Sequence, residues 1–306
     1  MRVVALLAAV VALALAGCGD DGAEPGASSE ATLVLDFTPN AVHAGLYAAA
    51  ERGWFAEEGI DVEIREPGES TDAPKLLEAG RTEFAVLDIN DWGIARERGL
   101  DLVPVAALVQ VPLAAVIAAD REQVRRPLDL EGLTVGVTGL PSDDLVLDRI
   151  VAGDGGDPAA VERTTIGFDS VAALAAGRVD AATAFWNAEG VALRDLGVPT
   201  REFRVGNAAG RPFPELLVVA SREYADAQPA AIEALVTGVE RGYALADEDP
   251  DAALADLLAA RPGLEPEVQE AQMAALTEAD AFSAGVKPGV VDPERIDNWR
   301  RFTAGS

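Results

Sequence analysis

The only histidine of the chain, His43, lies in the stretch LDFTPNAVHAGLY (35–47), together with Asp36, Asn40 and Tyr47. A carboxylate, an amide, an imidazole and a phenol so close together offer donors and acceptors to a polar small molecule, and Tyr47 adds a face for stacking. They cannot build a histidine-based metal site, because there is no second histidine. A second cluster, Phe185-Trp186-Asn187-Ala188-Glu189, ends a run of small residues, VDAATA. Aromatic, amide and carboxylate together suit a flat, amino-bearing heterocycle, which needs a stacking surface and acceptors for its N–H groups. Further candidates are Ser70 in ESTD, Asp88 and Trp92 in DINDW, and Gly139 and Ser142 in TGLPSDD.

Each of these also has an ordinary structural role. Asn40, Ser70 and Asn187 can cap helices, and Asp36 can organise an Asx-type turn over Thr38–Asn40. His43 can serve as a hydrogen-bonded core residue. Backbone N–H groups near Gly139 and Ser142 would suit an anion, but Asp143 and Asp144 occupy the same first turn.

The elements that must position these residues alternate. TLVLDF (32–37), DVEIRE (61–66), EFAVLDI (83–89) and LVPVAALV (102–109) read as strands, with helical stretches between them. The pattern then repeats: LTVGV (133–137), VERTTIG (161–167) and VDAATAF (179–185) are strands parted by helices. One more apolar strand, LLVVAS (216–221), precedes segments that read as helices only, broken by Pro250, Pro262, Pro266 and Pro293. This order predicts an α/β fold with mostly parallel sheets in two lobes. One lobe is expected from residues 32–116 plus 216–306, the other from 117–215. The candidates fall at carboxyl ends of strands, where such folds line a ligand cleft that closes by a hinge.

The N-terminus reads Met-Arg, an unbroken apolar run from Val3 to Ala16, and then Gly17-Cys18. The run is shorter than the ~20 residues a bilayer-spanning helix needs. It resembles a lipoprotein signal of residues 1–17, with lipidation at Cys18 and a Gly/Ser/acid tether over 18–31. Cys18 is the only cysteine, so no disulfide can form within the chain. With 52 acidic against 24 basic residues the net charge is −28, which disfavours nucleic acid as a partner. Near the proposed cleft carboxylates dominate, and the chain has only two lysines, Lys75 and Lys287. A neutral or weakly basic heterocycle fits that better than an oxyanion. No GxSxG, Walker or metal-spaced His/Cys pattern occurs, so no catalytic residue, cofactor or metal is expected.

LDFTPNAVHAGLY, EPGESTD, VGVTGLPSDD, FWNAEG and RPFPELLVVAS together resemble the solute-binding proteins of ABC importers for thiamine pyrimidine precursors. Phe37 stands where that family usually has tryptophan. The resemblance implies a two-lobed periplasmic-binding-protein-like fold (type II) and ligand contacts from Asp36, Phe37, Asn40, His43, Tyr47, Ser70, Asp88, Trp92, Gly139, Ser142, Phe185, Trp186, Asn187 and Glu189. It also implies a monomer held outside the cytoplasm by its lipid anchor, with an ABC permease and ATPase as partners. The same family includes close relatives that bind riboflavin, and the resemblance extends more distantly to binders of nitrate, sulfonates and taurine and to the eukaryotic enzyme that makes the thiamine pyrimidine.

Overall fold

The computed structural model describes residues 29–67, 73–120 and 122–304. Ser70, Cys18 and the whole of the expected signal segment lie outside the described residues, as does the expected tether up to residue 28. The first half of the chain runs β1 (Ser29–Val34), α1 (Ala44–Glu51), α2 (Trp54–Glu57), β2 (Ile60–Arg65), α3 (Ala73–Glu78), β3 (Phe84–Asp88), α4 (Ile89–Glu97) and β4 (Leu102–Val109). It then crosses to β5 (Ala114–Ala119), β6 (Thr134–Val137), α5 (Pro141–Gly153), β7 (Glu162–Thr165), α6 (Ser170–Ala175) and β8 (Ala181–Phe185). After α7 (Glu189–Asp195), β9 (Thr200–Arg204) and α8 (Val205–Ala209) it returns through β10 (Leu216–Ser221). Five helices follow: α9 (Arg222–Ala227), α10 (Pro229–Glu248), α11 (Pro250–Ala260), α12 (Pro266–Glu278) and α13 (Pro293–Ala304).

The strands form two five-stranded sheets, ordered β2-β1-β3-β10-β4 and β7-β6-β8-β5-β9. The two orders correspond position by position, and in each the fourth strand is the one that has crossed from the other half of the chain. β1, β2 and β3 pair in parallel, and so do β6, β7 and β8. The crossing strands β10 and β5 run antiparallel to both neighbours. Each sheet is therefore parallel where helices connect the strands and antiparallel where the chain passes between lobes. Because β5 belongs to the second sheet, the first crossing is at residues 110–113, a few residues earlier than the boundary at 116 read from sequence. β9 had no sequence expectation. Its TREFR is an edge strand carrying three charges, which blunts a free edge but hides the alternation used to recognise strands.

The central strands β3 and β10 are almost wholly buried, as their apolar runs FAVL and LLVVA require. The C-terminal helices cover the first sheet. There α10 crosses α1 so closely that a Cβ on Gly242 would lie 2.0 Å from the Gly45 carbonyl oxygen, while the Tyr243 ring covers Gly45. Tyr243 also donates its hydroxyl to the Val42 carbonyl at 2.7 Å. Replacing Gly242 with alanine is expected to force these helices apart and to cost about 3 kcal/mol. Urea unfolding would register it as a lower midpoint, and an unchanged midpoint would refute the close crossing.

Candidate functional site

β1 ends at Val34, earlier than expected, and residues 35–39 turn toward a single 3-10 turn, Ala41–His43. Asn40 caps that turn: its Oδ1 accepts from the Val42 N–H at 3.1 Å, and its Nδ2 donates to the Thr38 carbonyl at 3.0 Å. The fully buried His43 ring accepts at Nδ1 from the Asn40 N–H at 3.2 Å and donates from Nε2 to Asp36 Oδ1 at 2.8 Å. Because a backbone N–H can only donate, the ring proton sits on Nε2. Both ring nitrogens are thereby used inside the protein. His43 orients Asp36 and has no free nitrogen for a ligand, and Asp36 answers His43 instead of organising an Asx turn. Tyr47 lies one turn on, buried, with no partner for its hydroxyl among the described residues. Burial raises its pKa, with the charge of Arg261 opposing.

The second part of the site joins the lobes. Glu215 precedes β10 on the return crossing, and its Oε2 accepts from the N–H groups of Leu113 and Ala114, the latter at 2.9 Å. One buried carboxylate thus holds both crossings together. It lies against Asp88, which caps α4 by accepting from the Asn90 N–H. Two carboxyls buried in contact do not both ionise. Burial first, and then the charge of Glu215, hold Asp88 well above the usual carboxylate range; burial also raises Glu215, against hydrogen bonds from Asp88, Ala114 and Leu113.

Asp91, one turn into α4, is pushed up to about 7 by burial and by Asp88, with the Ser142 hydroxyl pulling the other way. Asp143 and Asp36 also act on Asp91. Ser142 and Asp143 belong to α5 in the other lobe, so the two lobes face each other here. Asp143 accepts at Oδ2 from the Thr138 N–H at 2.7 Å, beside Gly139, whose φ of +100° the turn into α5 requires. Asp143 in turn raises Glu189, for which burial is the larger cause. Glu189 opens α7 and accepts at Oε2 from the Phe185 N–H at 3.0 Å. The charges acting on these carboxyls are one another.

Asn187 differs from the rest. It is fully buried, and neither amide atom has a partner among the described residues. Gln269 and Gln272, one turn apart on α12, are also buried with unpartnered carbonyl oxygens. That helix packs against both residues 41–43 and α7, so it spans the two lobes. Across the lobes, the Phe37 and Phe168 rings meet with centroids 5.5 Å apart, although Phe168 is 54% exposed.

Two expected contact residues are buried with their N–H groups already paired. The Trp92 indole donates to the Leu102 carbonyl at 3.1 Å and packs on Trp299. The Trp186 indole donates to the Pro112 carbonyl at 3.0 Å and lies under the Arg204 guanidinium, 4.2 Å from its ring. Both are apolar bodies whose single N–H finds a backbone carbonyl, which is how buried indoles are satisfied. Trp186 anchors the crossing rather than offering a stacking face. Glu215 and Phe168 were not among the expected site residues. A lone carboxylate directly before the apolar run LLVVA was the signal for the first; an isolated phenylalanine in GFDS gave none for the second. Among the described residues no carboxylate, histidine or cysteine group is arranged to hold a metal ion.

The arrangement brings Asp36, Asp88, Asp91, Ser142, Asp143, Glu189 and Glu215 into one linked set across the two lobes. It offers carboxyl groups, an amide with no partner among the described residues, and aromatic edges, which can pair with a ligand rich in N–H donors. A family model described as NMT1/THI5 like matches residues 40–253. A formylaminopyrimidine-binding protein of Halalkalibacterium halodurans is 34% identical over 259 residues, 84% of this chain and 78% of that protein. A 4-amino-5-hydroxymethyl-2-methylpyrimidine phosphate synthase of Legionella pneumophila is 25% identical over 77% of this chain and 75% of its own. Among solved structures, the alkanesulfonate-binding protein SsuA of Xanthomonas axonopodis pv. citri, bound to MOPS, superposes with a TM-score of 0.68 at 19% identity, covering 90% of each chain.

Proposed function

The chain belongs to the NMT1/THI5-like family, and from that membership we propose that it is the substrate-binding protein of an ABC importer, taking an amino-heterocycle of the thiamine-precursor pyrimidine type. The observation that carries this reading is Asn187, a fully buried amide two residues before Glu189, with no partner for either polar atom among the described residues. An aminopyrimidine presents a donor and an acceptor on one edge, which is the complement of an amide. Sulfonate or nitrate would meet carboxylates instead of the guanidinium, ammonium or free N–H groups they need. The 34% identity to a formylaminopyrimidine-binding protein supports the same ligand class.

Binding, rather than turnover, is favoured by His43. The synthase relative raises an enzymatic reading, but this imidazole has no nitrogen left to act as base or nucleophile. In this proposal the protein works outside the cytoplasm, anchored through lipidated Cys18, and hands its ligand to a permease and ATPase. Titration calorimetry of the chain without residues 1–17 tests the reading. Heat with formylaminopyrimidine or the free aminopyrimidine, and none with taurine, is expected. Heat with riboflavin alone would move the ligand class, and silence toward every heterocycle from folded protein would end the proposal.

A further inference from the structure

Away from the cleft, a groove of about 480 Å³ lies between the C-terminal end of α5, the turn after α8, and α13. Its charged lining is Arg149, Arg211 and Arg301, with no carboxylate. That is unusual in a chain where acids outnumber bases by 52 to 24. The groove beside β9 differs: it is lined by Arg194 and Arg201, and these pair with Glu202 and Asp120. None of the three groove arginines makes an ion pair among the described residues.

Two of the three are nevertheless held in place. Arg149 donates to the Thr303 carbonyl. Arg301 donates to Asn298 Oδ1 at 2.8 Å, and Asn298 is itself fixed by donating to the Pro212 carbonyl at 3.1 Å. Each tether uses one of the five N–H groups of a guanidinium and leaves the others free. Phe302, packed on Phe213, closes one side.

We propose that this groove is a second binding site, for a multiply charged oxyanion of the phosphate class. Three convergent guanidiniums supply planar forks for phosphate oxygens, and nothing in the lining opposes the charge. The groove has room for an organic body beside the phosphate group. The strongly negative protein surface disfavours an anionic membrane as the source, and a soluble phosphate compound is therefore expected.

The test uses calorimetry with inorganic phosphate and pyrophosphate, each against chloride at matched ionic strength, and co-sedimentation with phosphatidylglycerol vesicles. Arg211 and Arg301 are exposed, so Arg211→Gln and Arg301→Gln should fold normally. Each is expected to weaken pyrophosphate binding about tenfold or more, as the loss of a charge-assisted hydrogen bond does. Heterocycle binding at the cleft should be unchanged in both, which separates this site from the proposed transport function. Arginine-dependent binding to vesicles alone would assign the groove to a lipid headgroup phosphate. No binding of either probe, or binding that both variants retain at full strength, would overturn the proposal.

Discussion

Asn187→Leu is expected to make the ligand-free protein more stable while abolishing heterocycle binding. The asparagine amide is fully buried with no partner for either atom among the described residues, and a polar group left unsatisfied costs ~1–3 kcal/mol. Leucine has nearly the same shape and removes that cost, so unfolding should shift to higher urea by an equivalent of ~1–3 kcal/mol. A ligand that pairs with the amide would lose both hydrogen bonds and meet an apolar surface, so affinity should fall ~100-fold or more. Opposite signs for stability and binding mark a residue kept for its ligand. A leucine variant that was less stable and bound normally would show that Asn187 serves the fold instead.

Much of the fold was legible because its elements carry strong local patterns. LVPVAALV and LLVVAS are strands over the same residues that their apolar runs delimit. Gly80 and Gly99 follow helices in left-handed conformation, as their positions after PKLLEA and DWGIARER suggested. The exchange of β5 and β10 between sheets was readable only in outline, since a strand pattern fixes burial and not its neighbour.

The candidate site was legible by location and less so by role. Asp36, Asn40, His43 and Glu189 all lie where strand ends predicted. Yet Asn40 and Glu189 hold backbone N–H groups, and His43 holds Asp36. Capping and binding draw on the same side chains, and composition cannot separate them. Glu215 escaped notice because its partners, Leu113 and Ala114, are about a hundred positions away. Trp92 and Trp186 are buried, a placement that their sequence context does not announce. Their N–H partners are backbone carbonyls, which any sequence supplies.

The protein is expected to lose stability as pH rises from 5 to 8, by about 3 kcal/mol through Asp91 alone. The folded Asp91 carboxyl keeps its proton up to about 7, whereas the ordinary value is 3.8. Between those values the folded chain binds more protons than the unfolded one. Its contribution is therefore fully present below about pH 4 and is lost as pH climbs through 7. Asp88, also raised by burial and by Glu215, acts in the same direction. Asp91→Asn keeps the shape and removes the titration, so its urea midpoints should vary less with pH and exceed those of the unaltered protein at pH 8. Parallel pH profiles for the two proteins would refute the assignment. The physical consequence concerns the gap between lobes. Asp91 on α4 faces Asp143 on α5, and the charge of Asp143 raises the cost of ionising Asp91. Deprotonation of Asp91 therefore adds like charge between the lobes unless a donor-rich ligand lies there.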